Sequence, residues 1–209
     1  MNKEIFSKEN TDHLIEIFSK TRKYFNHAYE GFYQNKLSLL EKAEKEFISL
    51  GKDTKALLNQ FIKICMQDKE EDKMCKVMIS ISGHLERIEE TIKTLIATDK
   101  DMVKSGILFS NKAVKEISHL YEALYDLLGN LADSIKTKND VLINNTLKNI
   151  DSLRKSASQY TTEHEERLIS GVCPPKSAYY YLKMLDSLIE IIRHTKKIAQ
   201  ALHPTFHLT

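Results

Sequence analysis

The chain has 209 residues, with 31 basic and 29 acidic side chains mixed along its length for a net charge of +2. That balance offers no bulk field to nucleic acid or an anionic membrane, and the length suits one large domain or two small ones with a substantial core. Three cysteines without C-x-x-C spacing predict small hydrophobes in a reducing compartment rather than a disulfide framework.

No apolar run reaches the roughly 18 residues of a membrane span, and "MNKEIFSKEN" lacks a signal-peptide core, which predicts a soluble intracellular chain. Six glycines, three prolines and no tryptophan leave few punctuators, so long helices are expected.

From Thr11, read as an N-cap, Leu14, Ile17, Phe18, Thr21, Phe25, Ala28 and Phe32 mark one helical face ending near Gln34. The pattern resumes at Leu37, Leu40, Ala43, Phe47 and Leu50 and stops at Gly51. A new helix is then expected from Asp53 through Leu57, Leu58, Phe61, Ile64 and Cys65. After the charged connector "DKEEDK", a long helix spans Lys73 to about Thr98 on Met78, Ile81, Leu85, Ile88, Ile92 and Leu95. The second half repeats these events at residues 111 to 137, 140 to 169 and 176 to 202, with "SGVCPPKSA" as the last break. Sliding the chain by 103 residues sets Leu14 on Ile117, Phe18 on Tyr121, Leu85 on Leu188 and Leu95 on Ile198. The expected architecture is all-α: an elongated bundle of two tandem three-helix units, residues 1–102 and 103–209, forming one domain.

One stretch asks a question of its own. "HLERIEE" (84–90) places Glu86 and Glu90 four apart on one helical face, where repulsion costs a few tenths of a kcal/mol, about 0.2 to 0.5. Arg87 and solvent absorb that, or a cation does.

"HLERIEETIKTLIA" (84–97) resembles the L-E-R-I-G/A-D helix and N-I-A-like tail that close each repeat of the PhoU-like family. "SLIEIIRHTKKIAQ" (187–200) resembles a second, eroded copy keeping Leu188, Ile191, His194, Ile198 and Ala199. "RLISGVC" (167–173) is similar to an R-L-x-x-G-x-C run in the PhoU-like tails of bacterial sodium/phosphate cotransporters. The resemblance implies a non-enzymatic regulator of phosphate uptake at the cytoplasmic face of a membrane. Its partner would be a phosphate transporter membrane domain, in cis as a cotransporter tail or in trans, together with a sensor kinase. Nucleic acid is not implied, and long amphipathic helices allow a homodimer.

The family also carries an acidic E-x-x-x-D pair associated in some members with iron or zinc. Here Glu122 and Asp126 fit it in the second repeat, whereas the offset puts Ser19 and Lys23 at the first-repeat positions. The closing-helix pair survives as Glu86 and Glu90 but is replaced by Ile189 and Arg193 in the second copy. The resemblance therefore implies Glu86, Glu90, Glu122 and Asp126 as ligands for a divalent metal, whether iron, zinc, manganese or magnesium, if the two pairs face each other. An acidic edge neutralised by lysines and Arg87 is the alternative.

Other constellations are thinner. Glu116 and His119 have Glu-x-x-His spacing, but a di-iron bundle needs a second such pair, and none exists. His164 and His194 read as exposed or capping side chains. Of Tyr179, Tyr180 and Tyr181, at most two can reach a core. A metal-dependent enzyme would need a pocket beside its carboxylates, and no loop insertion offers one.

Overall fold

The computed structural model describes residues 8–67 and 73–207. Six long helices follow in order: α1 Lys8–Tyr33, α2 Leu37–Gln67, α3 Lys73–Lys104, α4 Asn111–Thr137, α5 Asp140–Ile169 and α6 Pro175–Leu202, with a 3-10 turn over His203–His207. The fold is all-α, a bundle of two three-helix repeats. Apolar residues at three-and-four spacing drive it, each fully buried Leu, Ile or Phe being worth about 1.5 to 3 kcal/mol. Leu14, Ile17, Phe18, Phe25, Phe47, Ile88, Leu124 and Ile191 all belong to one continuous core.

The repeat is visible in the backbone. Lys8 and Asn111 open the first helices and Leu37 and Asp140 the second, both 103 residues apart. Asn35 and Lys138, at the same offset, share a left-handed conformation with φ of 51° and 50° where the first helix of each unit ends. At Asn35 the turn is closed by Lys36 N–H donating to Gly31 O at 2.9 Å and Asn35 N–H to Phe32 O at 3.0 Å, which satisfies the orphan carbonyls of α1. Gly31 is required there: a Cβ would lie 2.7 Å from the Leu40 side chain and 3.0 Å from its backbone nitrogen. The units join through corresponding helices, α3 on α6 and α1 on α4.

Three expectations are corrected. Gly51 and Asp53 do not separate two helices, because α2 runs through them. A helical glycine costs about 1 kcal/mol against alanine, and burial of Phe47, Leu50, Thr54 and Leu57 along one side offsets it. Thr11 is no N-cap, since α1 is already helical at Lys8. The cysteines are not three free thiols: Cys65 and Cys75 form a disulfide with Cα atoms 5.7 Å apart, joining the end of α2 to the start of α3. Only Cys173 is free, and the cysteine argument for a reducing compartment lapses. Most of the "DKEEDK" connector lies outside the described residues.

Among the described residues no helix is long and apolar enough to cross a membrane.

Candidate functional site

The four carboxylates nominated by sequence occupy two separate places. Glu86 is half-buried and Glu90 exposed on α3, and Lys93, three residues on, pairs with Glu90. Glu122 and Asp126 are exposed on α4, the helix packed on α1. Glu122 Oε1 accepts from the Tyr29 hydroxyl at 2.8 Å, and Asp126 Oδ1 lies 4.0 Å from the Arg22 guanidinium. Among the described residues no three His, Cys, Asp or Glu side chains gather as a metal-holding group. The two pairs therefore do not form one four-carboxylate centre. Glu122 and Asp126 do line a cleft of about 230 Å³ together with Phe25, Asn26, Tyr29 and Tyr125.

The glutamate between the nominated pair is the unusual one. Glu89 is 1 % exposed; its Oε1 accepts from the Thr54 hydroxyl at 2.7 Å and from Thr21 at 3.4 Å, linking α1, α2 and α3. Its Oε2 has no hydrogen-bond partner. Burial raises the carboxyl pKa to about 7, against the smaller lowering by the two threonines. The offset maps Thr21, Thr54 and Glu89 onto Leu124, Ala157 and Ile192, all buried. One repeat thus holds a polar knot where the other packs three apolar side chains.

Asp99, fully buried, accepts from Tyr121 at 3.1 Å, and burial pushes both groups well above their ordinary pKa values. Tyr121 stacks on Phe25, Tyr29 and Phe32. A neutral acid hydrogen-bonded to a neutral phenol is the consistent state of this pair.

The "RLISGVC" run is built into the second unit. Arg167 forms a bidentate pair with buried Glu116 at 2.9 and 2.7 Å, and Glu116 also accepts from the Tyr181 hydroxyl at 2.6 Å. α4, α5 and α6 are so joined by one fork-shaped contact. Gly171, with φ of 71°, supplies the left-handed turn that ends α5, and Val172 N–H returns to Arg167 O at 3.0 Å. Cys173 lines a cavity of about 280 Å³ with Phe109, His164 and Tyr181.

His164 and His194 are buried, at 1 % and 2 % exposure, not exposed or capping as expected. His164 stacks on Tyr181 at 4.2 Å between centroids, while His194 Nδ1 meets His84 Nδ1 at 2.9 Å between α6 and α3. Burial lowers the pKa of His164, His84 and His194, with His84 lowered further by His194 itself. Of the three tyrosines, Tyr180 and Tyr181 are buried and Tyr179 is exposed, the division that helical geometry requires.

Sequence reasoning passed over Glu89 and Asp99 because periodicity was read on apolar residues alone, and it weighed Glu116 only for its Glu-x-x-His spacing to His119. The signal was present: Glu89 lies four residues after Leu85 and three before Ile92, and Asp99 four after Leu95 and three before Met102.

Two long antiparallel-looped helical units sharing one core define the chain as a tandem three-helix-repeat protein, and this is the PhoU-like fold. No family model matches the sequence, and no curated protein is similar to it by sequence. The structure superimposes on PhoU from Pseudomonas aeruginosa with a TM-score of 0.86 at 13 % identity, covering 97 % of each chain. The phosphate transport system regulatory protein PhoU from Streptococcus pneumoniae gives 0.80 at 10 % identity, over 93 % of this chain and 92 % of that one. A PhoU-like protein from Shewanella oneidensis gives 0.68 at 9 % identity, over 96 % and 100 %.

Proposed function

We propose that this chain is a regulatory component of phosphate uptake that acts by docking, without chemistry of its own. The observation that carries the reading is end-to-end agreement with PhoU, 97 % of each chain at a TM-score of 0.86. One such neighbour is described as a phosphate transport system regulatory protein. Long helical faces provide the docking area, and the partner is the membrane domain of a phosphate transporter, with a sensor kinase as a second client.

The attachment has two forms. The "RLISGVC" run favours a cytoplasmic tail joined in cis to a sodium/phosphate cotransporter, and a free regulator acting in trans fits the likeness to PhoU equally well. Cross-linking in membranes of the source cells tests both. Recovery of this chain within, or coupled to, a phosphate transporter polypeptide is expected; recovery with neither, while the transporter is present, contradicts the reading.

A divalent ion at Glu122 and Asp126 is a secondary reading. It is supported by the placement of both carboxylates in one cleft beside the Asn26 and Tyr29 side chains.

A further inference from the structure

A second cleft, of about 290 Å³, opens on the same pair of helices, where Ser19, Arg22, Lys23 and His27 of α1 face Gly129 and Ala132 of α4. Its relation to the acidic cleft is set by the repeat. The 103-residue offset carries Ser19 to Glu122, Arg22 to Tyr125, Lys23 to Asp126, Asn26 to Gly129 and Tyr29 to Ala132. The two clefts are one location occurring twice, once in each sense of the α1–α4 pairing. In one copy the lining carries Glu122 and Asp126; in the other it carries Ser19 and Lys23, with Arg22 at the position of Tyr125. Two carboxylates mark the first, and a guanidinium and an ammonium mark the second.

We propose that the Ser19–Arg22–Lys23 cleft binds a dissolved small oxyanion of the size of phosphate. Arg22 is fixed before any ligand arrives. Its Nε donates to Tyr125 O at 3.1 Å, and its guanidinium lies 3.9 Å above the Tyr125 ring. The guanidinium occupies the space that a side chain at 129 would fill: a Cβ on Gly129 would be 2.9 Å from Arg22 Cζ. Held in this way, the guanidinium spends its Nε–H on the protein, and among the described residues its terminal nitrogens have only the 4.0 Å approach of Asp126. Lys23, one residue further, is exposed and has no ion-pair partner among the described residues. His27 is held by Glu46 at 2.7 Å, and the Asn26 amide by Glu30 at 2.9 Å. Asp133 lines the cleft and Asp126 stands beside the guanidinium, so the cleft as a whole is balanced in charge and its anion-binding groups are the terminal guanidinium nitrogens of Arg22 and the Lys23 ammonium.

A planar fork beside a mobile ammonium suits a tetrahedral oxyanion, the fork taking two oxygens and the ammonium a third. The cleft is too small for a large ligand, and its open side suits exchange with solvent. This inference rests on the side chains of the cleft and stands apart from the regulatory reading.

The test is an amide NMR titration of the whole chain with inorganic phosphate at constant ionic strength, repeated with vesicles carrying phosphatidic acid. Saturable shifts confined to residues 19–27 and 125–133 are expected with dissolved phosphate. Lys23→Glu, at an exposed position, should weaken binding about tenfold with an unchanged melting temperature. Gly129→Ala should weaken it too by displacing Arg22, while Glu122→Gln should leave it unaltered. Absence of saturable shifts, shifts that persist undiminished in Lys23→Glu, or a response to vesicles alone would each overturn the proposal.

Discussion

Arg22 and Tyr125 stand at the same position of the two repeats, 103 residues apart, and bind each other: the Arg22 Nε–H donates to the Tyr125 carbonyl at 3.1 Å and its guanidinium covers the Tyr125 ring at 3.9 Å. Equivalent helices of the two units thus meet at equivalent residues, one carrying a cation and the other an aromatic ring. Arg22→Ala should cost about 1 kcal/mol in urea unfolding, since the contact is only half-buried. Tyr125→Phe should be neutral at this contact because the carbonyl and ring remain, and Tyr125→Ala should not. Equal losses from Phe and Ala would show that the phenol hydroxyl, not the ring, matters.

Glu89 makes stability depend on pH. In the unfolded chain its carboxyl ionises near the ordinary value of 4.5, and in the folded protein at about 7. Between these values the folded state binds more protons, so stability is greatest below the unfolded value and falls as pH rises to about 7, then levels off. The full change is about 3 kcal/mol. Glu89→Gln should flatten this part of the stability profile.

The apolar second repeat suggests a bolder change. Replacing Thr21, Thr54 and Glu89 together by their counterparts, Leu, Ala and Ile, should raise stability at neutral pH by about 1 to 4 kcal/mol, because packed hydrophobes replace a buried carboxylate with one unpaired oxygen. Thermal unfolding measured at neutral pH decides it, and a lower melting temperature would show that the polar knot is needed for packing in the first unit.

Arg167→Ala should leave buried Glu116 with only the Tyr181 hydroxyl and the 3.9 Å approach of Lys112 and cost about 3 to 5 kcal/mol. The double change Arg167→Met with Glu116→Gln should cost much less than the sum of the separate changes. Chemical denaturation of the three variants measures that coupling.

The disulfide gives a chemical count. Before reduction one thiol, Cys173, should react with a thiol reagent, and after reduction three. Closing the short Cys65–Cys75 loop is worth roughly 3 kcal/mol on chain entropy, so Cys65→Ser should lower the melting temperature accordingly. Three reactive thiols in the untreated protein would contradict the pairing.

The divalent-ion reading has its own outcome. Iron, zinc, manganese or magnesium should raise the melting temperature, and Glu122→Ala should abolish the rise; no shift with any of them ends that reading.

The helices were legible because apolar residues at three-and-four spacing have few other ways to be buried, and the repeat because Leu14 and Ile117, or Leu85 and Leu188, keep one offset from end to end. Gly51 was misread: a local cost of about 1 kcal/mol is small beside the burial of Phe47 and Leu57 on either side, and propensity lost to packing. Cys65 and Cys75 come together only because α2 and α3 fold back on each other, which spacing does not show. Charge patterns drew attention to Glu86, Glu90, Glu122 and Asp126, whereas the deeply buried acids Glu89, Asp99 and Glu116 sit on stripes that read as hydrophobic. Their partners, Thr21, Tyr121 and Arg167, come from other helices and are distant in sequence.

The most direct test of the regulatory account is the rate of phosphate uptake by source cells with and without this chain, measured after growth in scarce and abundant phosphate. The account predicts that cells lacking it continue to take up phosphate rapidly when phosphate is abundant, while intact cells restrain uptake. Identical restraint in both would contradict it.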